Sequence, residues 1–267
     1  MTRPLILLTN DDGINALGLY ALSREIGSLG EVMIVAPDSE RSAAGHAITL
    51  TEPLRAIKVF KDGTLYGYGV TGTPADSVKV AVKVLLERPP DLVISGINLG
   101  PNTGTNVIYS GTVSAATEAS IMGIPAIAVS LGTFTKPDYE PAARFARSLA
   151  LTVLARGLPP KLLLNVNVPA VPEEEIRGVR VTHQGGARFQ EIMEERIDLR
   201  GRTYYWLGGE MDSPEEDPGS DHQALMENYI AVTPLHYDMT NYSFLPELEK
   251  WHLSREGGAD RLRGNSR

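Results

Sequence analysis

Four short apolar runs limit the fold more than any other feature of this chain: Leu5 to Leu8, Val32 to Ala36, Leu92 to Ile94 and Ala126 to Ser130. None contains a charge, and none shows the in–out alternation of a strand with one wet face. Runs of that kind are strands buried on both sides, the arrangement of a parallel sheet covered by helices on each face. The segments between them carry the helices. Leu19, Leu22, Ile26 and Leu29 fall at spacings of 3, 4 and 3, an apolar stripe that Gly30 stops. The first two runs and this helix form one β-α-β unit with a right-handed crossover. Helices are also expected after Thr73-Pro74, with Thr73 as N-cap and Pro74 as the first helical residue, over Val113 to Met122, and over Pro141 to Ala155. The expectation is an α/β fold with three α/β/α layers and a mostly parallel sheet from residue 5 to about 170.

Other segments modify that plan. Ala47 to Leu50, Leu54 to Phe60 and Thr64 to Val70 read as short antiparallel strands, the last two joined at Asp62-Gly63. Leu162 to Val168 is a fifth buried strand and Tyr229 to Thr233 a late one. Residues 184–220 combine glycines, charges and the aromatics Phe189, Tyr204, Tyr205 and Trp206, which suggests a β-hairpin extension with a loop at 214–218. From Arg255 the chain is polar and glycine-rich, so a loose tail is expected. The division is thus a domain of residues 1–170 and a C-terminal extension of 171–267.

The composition removes several chemistries. There is no cysteine, which excludes disulfides, thiolate catalysis and cysteine-ligated metals. The five histidines are scattered, so a metal here would take oxygen ligands, as Mg²⁺, Mn²⁺ and Ca²⁺ do. A net charge of -8 argues against a nucleic-acid polymer as partner. No apolar run approaches the roughly 20 residues that span a bilayer, and no signal-peptide pattern is present; a cytoplasmic protein without a membrane partner is expected.

The first apolar run leads straight into Thr9-Asn10-Asp11-Asp12-Gly13. Ligand sites of open α/β sheets lie just beyond the carboxyl ends of such strands. Two adjacent carboxylates there repel by roughly 3 kcal/mol at about 5 Å and an effective dielectric of about 20. A hard divalent cation between them turns repulsion into binding. Alternatively Asn10 or Asp12 caps the next helix and Gly13 serves the turn. Two further polar loops follow apolar strands, at 37–46 and 95–112. The second ends in Ser110-Gly111-Thr112 before a helix, where free backbone N–H groups and the helix dipole suit an anion, or merely cap the helix. The P-loop, G-x-G-x-x-G and G-x-S-x-G patterns are absent from these positions. Together the three loops offer two carboxylates, hydroxyls, amide oxygens and a helix N-terminus, a set that suits a divalent cation facing a phosphate.

Several motifs also match a known family. These are T-N-D-D-G at 9–13, A-P-D-x-x-R-S at 36–42 with G-H-x-I-T at 45–49, G-T-P-A-D-S-V at 72–78, S-G-I-N-x-G-x-N at 95–102, Y-S-G-T-V-S-A-A at 109–116 and V-T-P-L at 232–235. In this order, over residues 5 to about 240, the chain resembles the survival protein SurE family of stationary-phase nucleotidases. The resemblance implies a Rossmann-like domain and a metal-dependent phosphatase acting on nucleoside 5′- and 3′-monophosphates, with short polyphosphate as a further substrate. It implies one divalent cation per subunit, Mg²⁺ or Mn²⁺, on Asp11, Asp12, Ser42 and Asn98, with Asp11 and Asp12 catalytic. It puts the phosphate on Ser110, Gly111 and Thr112 with Asn102 near, and implies a homodimer, sometimes a tetramer, that exchanges its C-terminal part. A nucleotide-sensing protein that never turns over would use the same loops. A glycosidase is disfavoured, because its two carboxyls stand at least about 5 Å apart across the sugar, usually on separate strands.

Overall fold

The structure, a computed structural model, describes residues 3–135, 137–212, 217–251 and 253. One compact unit covers Met1–Tyr237 and a second covers Asp238–Arg267. The strands are β1 (Leu5–Thr9), β2 (Glu31–Pro37), β3 (Ala56–Lys61), β4 (Thr64–Val70), β5 (Leu92–Leu99), β6 (Ala126–Leu131), β7 (Leu162–Val168), β8 (Val179–Val181), β9 (Arg188–Ile197), β10 (Thr203–Asp212) and β11 (Ile230–His236). The α-helices are α1 (Leu17–Ile26), α2 (Pro74–Val80), α3 (Asn106–Tyr109), α4 (Gly111–Ile121), α5 (Glu140–Arg156), α6 (Asp221–Met226) and α7 (Leu245–Glu249).

Nine strands form one sheet in the order β3-β4-β2-β1-β5-β6-β7-β11-β8. The four apolar runs are parallel neighbours, as expected: β1 pairs with β2 and β5, and β5 with β6. Only the pairs β3–β4 and β7–β11 are antiparallel. The sheet continues past residue 170, because β11 lies against β7 and β8 against β11. Along β1, Ile6 and Leu8 enter a core built with α1 and α5, whereas Leu7 enters the opposite core built with α2 and α4. All five β1 residues are buried. That is why the run is uninterrupted: successive side chains face opposite sides, and a helix covers each.

The strand expected at Ala47 to Leu50 does not form. Its backbone is drawn to helix side chains instead. The Ala47 carbonyl accepts from the Thr73 hydroxyl and Thr49 N–H donates to Asp76, which leaves no ladder for a neighbouring strand. The third apolar run is also longer than expected. β5 reaches Leu99, through a register shift against β6 between Ser95 and Asn98. Thr73 and Pro74 open α2 as expected, with Asp76 completing a capping box.

β9 and β10 pair only with each other, an antiparallel hairpin with every β9 residue exposed. Ile192, Met193, Ile197, Tyr205, Trp206 and Leu207 are exposed on it. The loop expected at 214–218 falls mostly outside the described residues, and the tail from Arg255 entirely so. The second unit contains α7, with Phe244 and Trp251 in edge contact at 5.9 Å.

Candidate functional site

β1 lies at the point where the chain order reverses, with β2 on one side and β5 on the other. Segments leaving such strands diverge and open a crevice at their carboxyl ends. A cavity of ≈ 650 Å³ occupies it, a size that suits a small-molecule ligand. Asp11, Asp12, Ser42, Asn98, Asn102 and Ser110 all line it, brought from three separate stretches of the chain.

The Asn10–Gly13 turn aims the two carboxylates. The Asn10 side chain accepts from Gly13 N–H at 3.1 Å and donates to the Gly13 carbonyl at 3.0 Å. Gly13 has φ 97, a backbone setting that L side chains avoid. Neither Asn10 nor Asp12 caps α1: the N-cap is Ala16, with no side-chain hydrogen bond. The capping alternative therefore fails.

Asp11 is 4% exposed. Its carboxylate faces the start of α4, where it accepts from the Thr112 hydroxyl and from backbone N–H. A helix N-terminus favours an anion, and here the protein supplies one. Gly111 makes the approach possible, since a Cβ there would stand 2.7 Å from Asp11 Cβ. Thr112 is fully buried, is not among the residues lining the cavity, and turns its hydroxyl to Asp11. Ser110 caps α4 by accepting from Val113 N–H at 3.0 Å.

Burial pushes the Asp11 carboxyl above the usual range, only partly offset by its bonds to Thr112. Burial first, and then the Asp11 charge, push Asp12 from 3.8 up to about 7. Glu40 raises both further and also lines the cavity, accepting from the Ser42 hydroxyl at 2.7 Å. No lysine, arginine or histidine is among the described lining residues. Among the described residues the lining thus gathers carboxylates with no basic side chain beside them.

The donor set fits a hard cation. Among the described residues no group of three or more His, Cys, Asp or Glu side chains is placed to hold a metal. A cation would instead combine the two carboxylates with neutral oxygens, as hard divalent ions accept. Asn98 spends its amide nitrogen on the Gly100 carbonyl at 2.8 Å, so its oxygen is the atom left to offer.

Sequence reasoning missed the support beneath Asn102. The Asn102 N–H donates to Asn167 Oδ1 at 2.8 Å, and the side chains of Asn165 and Asn167 both donate to its carbonyl. Its own amide donates to Ser130 Oγ at 2.7 Å. The available signal was two asparagines, two residues apart, in an otherwise apolar buried strand. Glu40 and the aromatic lining residues Tyr109, Phe134, Tyr139 and Phe189 were not anticipated either. Phe189 comes from the hairpin, far from the other loops in sequence, and no local pattern marks it.

Residues 6–191 match the family model described as survival protein SurE. A protein named 5′-nucleotidase SurE from Syntrophobacter fumaroxidans is 50% identical over 248 residues, covering 93% of this chain and 99% of its own. One of the same name from Syntrophus aciditrophicus is 53% identical over 251 residues, 94% of each chain. The crystal structure of a SurE protein from Aquifex aeolicus superimposes with a TM-score of 0.82 at 41% identity, covering 94% of this chain and all of the other. With this sheet, these loops in this order and likeness over nearly its whole length, the chain belongs to the SurE family.

Proposed function

We propose that this protein is a divalent-metal-dependent phosphatase that hydrolyses nucleoside 5′- and 3′-monophosphates, and short polyphosphate, to release phosphate. The observation that carries the reading is the charge of the crevice. Three carboxylates line it and no basic side chain is among its described lining residues. A phosphate monoester is a dianion at neutral pH, so these residues repel it unless a cation stands between them. The names of the relatives, 5′-nucleotidase SurE, support the substrate class.

In this reading Asp11, Asp12, Ser42 and Asn98 hold one Mg²⁺ or Mn²⁺ ion. When bound, the ion screens phosphoryl charge and makes a water a better nucleophile at neutral pH. The remaining work falls to the chain itself. Thr112 holds the Asp11 carboxylate in one orientation, and the Asn10–Gly13 turn does the same for the backbone beneath Asp12. Ser110, Asn102 and the Gly111 N–H are the donors for non-bridging phosphoryl oxygens as charge develops there. Asn102 suits that task because four hydrogen bonds hold it rigid. The aromatic side chains that line the cavity, Tyr109, Phe134, Tyr139 and Phe189, limit access of water.

The direct test is phosphate release from AMP. It should proceed with Mn²⁺ or Mg²⁺, stop on addition of EDTA and resume when excess Mn²⁺ is restored. Saturable AMP binding without release would instead identify a nucleotide sensor.

The same reading includes a homodimer, or a tetramer built from it. A two-stranded hairpin is marginal on its own, and the described residues of these two strands expose eight large apolar side chains. Light scattering at micromolar concentration should give at least twice the 28.9 kDa mass of the chain. A monomer would remove the dimer from the proposal.

A further inference from the structure

Residues 41–49 contain neither helix nor strand, and Ser42, His46 and Ile48 are exposed. A surface segment of that kind ordinarily moves. Here it is tied at five positions in nine residues. Arg41 N–H donates to the Asp11 carbonyl at 2.8 Å, and Gly45 N–H to the Tyr109 carbonyl at 3.1 Å. His46 Nε2 meets Glu118 Oε2 at 2.9 Å. The Ala47 carbonyl accepts from the Thr73 hydroxyl at 2.7 Å. Thr49 gives both its N–H and, at 2.7 Å, its hydroxyl to the Asp76 carboxylate.

The two carboxylates that receive these bonds are buried, Asp76 at 1% and Glu118 at 3% exposure. Burying a carboxylate is costly unless every oxygen is bonded. Each one divides its bonds. Asp76 also accepts from Thr73 N–H within its own helix cap, and the other Glu118 oxygen takes Lys79 Nζ at 2.5 Å. Glu118 lies two turns along the helix whose first residues face Asp11. One helix therefore carries Thr112, which grips Asp11, and the anchor of the strap that brings Ser42 to the cavity.

We propose that His46 is a positioning residue: by locking the 41–49 strap to α4 through Glu118, it holds Ser42 in place relative to Asp11 and Asp12 so that the three can share one cation. This rests on the metal-site reading above. His46 is not among the residues lining the cavity, so its effect is transmitted through the strap. Without the tie, closing the site around a cation must also order the strap, and that entropy is subtracted from affinity. Loss of groups that hold metal ligands in place typically costs 10- to 100-fold in metal affinity, about tenfold being expected here because the other ties remain.

The experiment uses the full-length, metal-stripped protein and Mn²⁺ alone, with free Mn²⁺ followed by electron paramagnetic resonance. His46→Ala should weaken Mn²⁺ binding by about tenfold. It should also speed tryptic cleavage after Arg41 in the absence of metal, with unchanged circular dichroism. His46→Gln places an amide nitrogen near the position of Nε2 and should recover most of both properties. His46→Asn, which is too short to reach Glu118, should behave like His46→Ala and serves in its place if the alanine variant folds poorly. Parent-like Mn²⁺ affinity in His46→Ala and His46→Asn would overturn the positioning role and leave the metal reading intact. A parent protein that binds no Mn²⁺ would overturn both.

Discussion

Asp11→Asn and Asp12→Asn should each reduce metal-dependent phosphate release by at least about 100-fold, the upper end of what loss of mere supporting groups costs a metal site. Each change keeps the shape and an oxygen, and removes one negative charge facing a divalent cation. Stability should move the other way. The two acids repel by roughly 3 kcal/mol at an effective dielectric of about 20 when no cation lies between them. Without metal, the variants should therefore melt at or above the parent temperature. The pH dependence gives the same test a sign. Asp12 has its carboxyl raised from 3.8 to about 7, so over that interval the folded metal-free protein keeps a proton that the unfolded chain has lost. The stability from that proton is fully present below the lower value and is lost as pH rises through the upper one. Measured as a difference, parent minus Asp12→Asn, melting temperature should fall between about pH 4 and 7 and then level off. Stabilisation by Mn²⁺ should grow over the same interval, because the ion displaces the proton. Full activity in both variants, with undiminished Mn²⁺ stabilisation, would show that these acids hold no metal.

Gly111→Ala should be nearly as damaging, for a steric reason. Alanine normally improves a helix by about 1 kcal/mol over glycine. Here its Cβ would meet Asp11 Cβ at 2.7 Å and Oδ2 at 2.8 Å. Asp11 is held by Thr112 and is almost fully buried, so it has nowhere to retreat. We expect a net destabilisation of about 1–3 kcal/mol, the usual cost of overpacking. We also expect roughly a 100-fold loss of activity, since small displacements of a reacting constellation cost that much. Gly186→Ala is the control: no atom lies within 4 Å of its added Cβ, and both properties should stay near those of the parent. Parent-like activity in Gly111→Ala would mean that close contact between α4 and Asp11 is dispensable.

The sheet was legible because its information is local. A charge-free run such as Leu5 to Leu8 can be stable only where both faces are covered. The helix end expected at Gly30 falls earlier: α1 closes at Ile26, where the Gly27 N–H bonds back to the Ser23 carbonyl and ends the helix before Leu29. Turn chemistry is equally local, which is why Asn10 to Gly13 and Thr73-Pro74 could be read directly. Segment 47–50 was misread for the complementary reason. Its composition permits a strand, and only the arrival of Asp76 and Thr73 from the next helix gives its backbone other partners.

The chain by itself determined which residues could meet at the carboxyl edge of the sheet: two acids, a serine and two asparagines, on the polar stretches that follow three of its apolar runs. It could not determine what each would face there. That Asp11 fills the start of α4, that Thr112 is spent on it, and that Glu40 adds a third carboxylate are contacts across as many as 101 residues. The same holds for Phe189 in the cavity lining and for the asparagine pair bonded to Asn102. Propensity and periodicity act over a few residues. The charge, depth and rigidity of a site come from which loops the packed sheet brings within a few ångströms of one another, and only the tertiary structure decides that.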